Sequence, residues 1–158
     1  MSAIKPHNLV FLDEMGVLLG LMRLMGRAPK GERVYDIKPF YRGTRVNVIN
    51  ALSDSKVLAL KALKRSLSVK QFKVFLQEHV VPQLWPGTVV VMDNLPAHKV
   101  QGVHAILAAV GAKALYLSPY SPEFNPIEHW WWELKAFIRR FVPKTKETLV
   151  KLLHMGLC

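Results

Sequence analysis

Three acidic residues in this 158-residue chain follow stretches that would hold a side chain on a rigid support. Asp93 comes directly after Thr88-Val89-Val90-Val91-Met92, a short, continuous and β-branched run. That pattern belongs to a strand buried on both faces, as in the parallel part of a sheet. Asp13 follows Asn8-Leu9-Val10-Phe11-Leu12, so a second apolar strand is expected to end in acid. Glu128 lies in Asn125-Pro126-Ile127-Glu128, a helix start with Asn as N-cap, Pro at the first helical position and Glu at the third. The carboxyl ends of strands in open α/β sheets are where ligands bind.

If the three carboxylates converge, their repulsion is severe: unit charges ~4 Å apart at an effective dielectric near 20 cost about 4 kcal/mol per pair. Either their pKa values rise or a cation neutralises them. All-oxygen ligands favour hard cations such as Mg²⁺ or Mn²⁺ over zinc. Acids gathered at one spot of a basic protein suit two-metal phosphoryl transfer. Taken singly, each residue has a plainer reading. Glu128 reads as a capping-box glutamate bonding back to Asn125, Asp93 as the start of an Asx turn, and Asp13 as an ordinary strand-end acid. His98 reads as a helix-start residue. The combination of the three acids carries the argument.

The elements that must position these acids follow from periodicity. Met15 to Met25 is ambiguous between strand and helix, because Gly16 and Gly20 weaken a helix. Gly26 to Arg33 is a basic turn region. Thr44 to Leu52 and Val57 to Leu63 flank the turn Ser53-Asp54-Ser55-Lys56 and predict an antiparallel hairpin. Ser68 is the expected N-cap of a helix whose buried face is Val69, Phe72, Phe75, Leu76 and Val80, with Pro82 as its stop. A helix from about His98 to Val110, a strand over Ala112 to Leu117, a helix from Asn125 to about Phe141 and a last one over Thr145 to Met155 complete the order. That order is an α/β architecture: a mixed five-stranded sheet with helices on its faces. In the third helix Ile127, Trp131, Leu134, Ile138 and Phe141 form a packing stripe. Of Trp130 to Trp132 one must point elsewhere, toward DNA or, as expected here, into a covered surface position.

Composition bounds the rest. The length suits one domain, 1–158, with a proper core, and 51% hydrophobic with 21% charged residues is a globular balance. Against 11 acids stand 22 Lys and Arg, a formal charge of +11 that points to a polyanionic partner. The one cysteine, Cys158, excludes a disulfide framework and a Cys-based zinc site and fits a reducing cytoplasm. Met15 to Met25 is too short for a membrane span and is interrupted by Arg23. The expectation is a cytoplasmic protein with no membrane partner.

Three strings together resemble a known family: Phe11-Leu12-Asp13-Glu14; Val91-Met92-Asp93-Asn94 with His98; and Ser118-Pro119-Tyr120-Ser121-Pro122-Glu123-Phe124-Asn125-Pro126-Ile127-Glu128. They resemble the catalytic domain of DDE transposases of the mariner-like superfamily, in the bacterial insertion-sequence branch numbered six-thirty. The 34 residues between Asp93 and Glu128, 94–127, match the superfamily's spacing of second and third acids. Ala28-Pro29-Lys30-Gly31 also resembles this branch.

The resemblance implies an RNase H-like fold and Mg²⁺- or Mn²⁺-dependent cleavage of DNA at transposon ends, followed by strand transfer to target DNA. It implies that Asp13, Asp93 and Glu128 hold two metal ions, with Asp13 bridging both, and that Asn94 and His98 are neighbours of the site. It also implies a homodimer when active. Relatives carry helix-turn-helix domains before the catalytic one, and none is legible before Asn8. The C-terminus is expected to be cut within a helical region, so that a second reading frame or a decayed remnant is implied. A reading of a different class is a non-catalytic DNA-binding fragment that regulates a full-length transposase. An RNase H-like nuclease acting on RNA or repair substrates is a third.

Overall fold

The computed structural model describes residues 4–21, 25–35, 44–54, 56–63, 66–93, 102–118 and 126–156. Five strands, β1 (Leu9–Leu18), β2 (Arg45–Ser53), β3 (Val57–Leu63), β4 (Val89–Met92) and β5 (Lys113–Tyr116), form one sheet in the order β3-β2-β1-β4-β5. The first three strands are antiparallel, whereas β1 pairs with β4 and β4 with β5 in parallel. The expected hairpin is present, its turn closed by the Ser53 N–H and hydroxyl donating to the Lys56 carbonyl at 2.9 Å each.

One expectation is corrected. β1 does not end in acid at Asp13 but runs on to Leu18, so the part of the ambiguous stretch from Met15 to Leu18 is strand. The reason lies in its partners: β2 pairs with it all the way from Val10↔Ser53 to Leu18↔Arg45, whereas β4 covers only Leu9 to Leu12. Asp13 is therefore the first β1 residue past the end of its parallel neighbour.

Helices cover both faces. On one side α1 (Val69–Phe75) begins with the expected Ser68 cap, in a full capping box with Gln71. It loosens into a π turn over Leu76–Val80 and a short 3-10 turn over Val81–Gln83, where Pro82 has no N–H to continue the ladder. Phe72, Phe75, Leu76 and Val80 are fully buried against Val10, Leu12, Ile49, Ala51, Val90 and Met92, together with Val103 and Leu107 of α2 (Val103–Ala108). Val69, assigned to that face from spacing, is exposed in the first turn.

On the other side α3 (Pro126–Arg139) and α4 (Lys146–Met155), the latter capped by Thr145, cover the sheet. Ile127, Trp131, Leu134 and Ile138 pack with Leu149, Leu152 and Leu153 onto Met15, Val17, Val46 and Val48. Phe141, expected in the same stripe, is exposed because α3 ends at Arg139. Among the described residues no helix is long and apolar enough to cross a membrane.

Candidate active site

Strand alternation decides what meets at the sheet's centre. Odd-numbered residues of β1 face α3, as Met15 and Val17 in that core show. Asp13 therefore faces α3 as well, with only 8% of its surface exposed. The parallel register Leu12↔Met92, continued by one residue, brings Asp93 alongside Asp13 on the same face. Asp93 is half-buried, directly after β4. Glu128 lies in the first turn of α3 with an exposed side chain, one turn before Trp131. All three acids read from the sequence thus come from separate supports.

The Asp13 carboxylate is held by two donors. The N–H of Glu14 donates to Oδ1 at 2.8 Å, and the indole Nε1–H of Trp131 donates to Oδ2 at 3.1 Å. Burial pushes this carboxyl up from its ordinary value of 3.8 to about 6. The two hydrogen bonds pull it back in part, and the negative charges of Asp93 and Glu128 raise it further. Both acids therefore act electrostatically on Asp13.

Among the described residues, no three His, Cys, Asp or Glu side chains are gathered tightly enough to hold a metal ion as they stand. Carboxylates drawn to ligand distance repel by about 4 kcal/mol per pair, which a looser arrangement avoids. The donor set itself, three carboxylates without thiol or imidazole, has the chemistry of a site for a hard divalent cation. Asn94, His98 and Asn125, the N-cap expected from sequence, lie outside the described residues.

Trp131 carries a role that sequence reading missed. Helical spacing assigned it to packing, and it is indeed 2% exposed, but its N–H also reaches Asp13 across the chain. The signal available was chemical: a buried indole needs an acceptor for its N–H. The tryptophan of the three that points elsewhere is Trp132, and it is not in a covered position but 63% exposed, stacked on the His129 ring at 6.2 Å. A groove of about 820 Å³, lined by Leu9, Phe11, Leu52, Val57 and Trp130 among others, lies beside α3, and none of the three acids lines it.

The family model for "DDE superfamily endonuclease" matches residues 8–150. Among solved structures, the chain resembles a pre-cleavage Mos1 transpososome with a TM-score of 0.73 at 14% identity, covering 96% of this chain and 48% of that one. It resembles the Mos1 transposase catalytic domain with Raltegravir and Mn with a TM-score of 0.65 at 16% identity, covering 97% of this chain and 71% of that one. A simian T-cell lymphotropic virus intasome in complex with a PP2A regulatory subunit aligns with a TM-score of 0.63 at 16% identity, covering 98% and 48%. The chain thus spans about half the length of the transpososome chain it aligns with. These likenesses establish the RNase H-like fold. No curated protein matches.

Proposed function

Since the chain belongs to the DDE superfamily endonuclease family, we propose that it is the catalytic domain of a transposase that cleaves DNA at transposon ends and joins the freed strand to target DNA. The observation that carries this reading is the buried Asp13 of β1, with Asp93 brought alongside it by the β1–β4 register and Glu128 carried by the first turn of the helix that packs on the same face. Asp13, Asp93 and Glu128 would hold the divalent ions, two Mg²⁺ or Mn²⁺, with Asp13 innermost. When bound, such a pair activates the attacking oxygen and stabilises the leaving one. The Mos1 catalytic domain structures with Mn and with Mg support a divalent metal here.

This chain's residues have distinct tasks in that reaction. Glu14 N–H and Trp131 Nε1–H hold one oxygen each of the Asp13 carboxylate and so fix its plane, leaving lone pairs free on both oxygens. The β4 strand end fixes Asp93, and the helix start gives Glu128 an exposed approach from the side of solvent and DNA. The basic surface, with Arg27, Lys30 and Arg33 exposed in one loop, provides the charge to hold a phosphate backbone. In the transposition reaction the domain works as a homodimer on DNA, and its likeness to the Mos1 transposase paired-end complex with left transposon end supports the DNA partner.

The test is a nicking assay on terminal-repeat DNA with Mg²⁺ or Mn²⁺, comparing the wild type with Asp93→Asn, which keeps shape and removes charge. Metal-dependent nicking by the wild type and a loss of ~10³-fold or more in the variant is expected, in the range of losing a group that stabilises transition-state charge. Equal nicking by both rejects the assignment. Salt-sensitive DNA binding with no cleavage by either points to the regulatory fragment instead.

A further inference from the structure

The row of side chains that contains Asp13 holds one more polar group. Asn50 stands in the middle of β2 directly across from Asp13 in the antiparallel register, and it is 0% exposed. On its other side the register places Leu60 of β3, and Val48 and Leu52 precede and follow it on the same face. Neither Oδ1 nor Nδ2 of Asn50 has a hydrogen-bond partner among the described residues. A buried carboxamide with both ends unbonded is less favourable than an apolar side chain of the same shape. Nothing in packing alone accounts for Asn at this strand position.

Directly opposed residues of antiparallel strands have Cβ atoms ~4.5–5.5 Å apart. The Asn50 amide is therefore one side-chain rotation, or one bridging water, from the Asp13 carboxylate, the polar neighbour its register supplies. We propose that Asn50 is a positioning residue for Asp13: its Nδ2–H joins the Glu14 N–H and Trp131 Nε1–H as a third donor that orients the carboxylate when a divalent cation binds. This inference rests on the reading of Asp13 as a metal-binding carboxylate. Carboxylates that ligate metals are themselves hydrogen-bonded, and loss of such an outer partner weakens metal binding ~10–100-fold.

The experiment compares Asn50→Thr with Asn50→Val in the full chain. The two residues have the same shape and both suit a strand, but only Thr keeps a donor. Melting is followed in chelator, and Mn²⁺ binding by calorimetry without DNA. Val is expected to melt above Thr, because it buries no hydroxyl, and yet to bind Mn²⁺ ~10-fold more weakly. A merely structural role would leave Mn²⁺ affinity equal in the two variants, and that result overturns the proposal. If Asp13→Asn binds Mn²⁺ as tightly as the wild type, the metal-site reading itself fails and the role of Asn50 falls with it.

Discussion

At the scale of single residues, Asp13 sets stability against function. Between pH 3.8 and about 6 the folded chain keeps a proton on Asp13 that the unfolded chain has released. Stability conferred by this group is therefore complete below pH 3.8, falls as pH rises, and is lost above about 6. A rise from 3.8 to about 6 corresponds to about 3 kcal/mol. Asp13→Asn should remove that loss, so that in chelator above pH 6 the variant melts higher than the wild type while nicking is abolished. Thermal melts across pH 4 to 8 check it, and a wild type whose melting temperature climbs from pH 4 to 6 as steeply as the variant's would contradict it. Trp131→Phe keeps most of the ring but deletes the donor to Oδ2. Expected is ~10-fold weaker Mn²⁺ binding by calorimetry, with a modest stability change because the contacts of the ring remain.

At the scale of elements, the junction of α3 and α4 stores strain. Val142, just past α3, has φ of 43°, a left-handed conformation that costs a β-branched residue about 1–2 kcal/mol. It is followed by Pro143, whose carbonyl accepts from Gly20 N–H at 3.1 Å and so ties the junction to the end of β1. Val142→Gly is expected to raise the melting temperature by ~2–4 °C and to leave nicking unchanged, because the site lies at the opposite end of α3. A lower melting temperature would mean that the Val142 side chain contributes more by packing than its backbone loses.

For the whole molecule, charge and site have opposite signs. The +11 chain should bind DNA chiefly through phosphate contacts, and about six of these would weaken binding ~10³-fold between 50 and 200 mM salt. Asp93→Asn, with one negative charge fewer, should bind DNA at least as tightly as the wild type while failing to cleave it. Gel-shift titrations over a salt series measure both, and a flat salt dependence would show that the excess charge does not serve DNA.

The chain's local patterns were enough to read the strands, the Ser68 and Thr145 helix starts and the mixed sheet, and to single out the three acids as candidates, because alternation, capping and β-branched runs act over a few residues. The resemblance in its motif strings supplied the family. Where β1 ends was not legible, since the extent of a strand depends on how far distant β2 and β4 pair with it. The exposure of Val69, Phe141 and Trp132 likewise depended on where helices meet the sheet. The surroundings of Asp13 were decided by tertiary structure alone: Trp131, 118 positions away, reaches it only through packing, and Asn50 stands across from it only through register. Burial and the charges of Asp93 and Glu128 lift its pKa against the pull of the Trp131 and Glu14 hydrogen bonds, and burial and neighbouring charge are properties of the assembled sheet and not of any short stretch of chain.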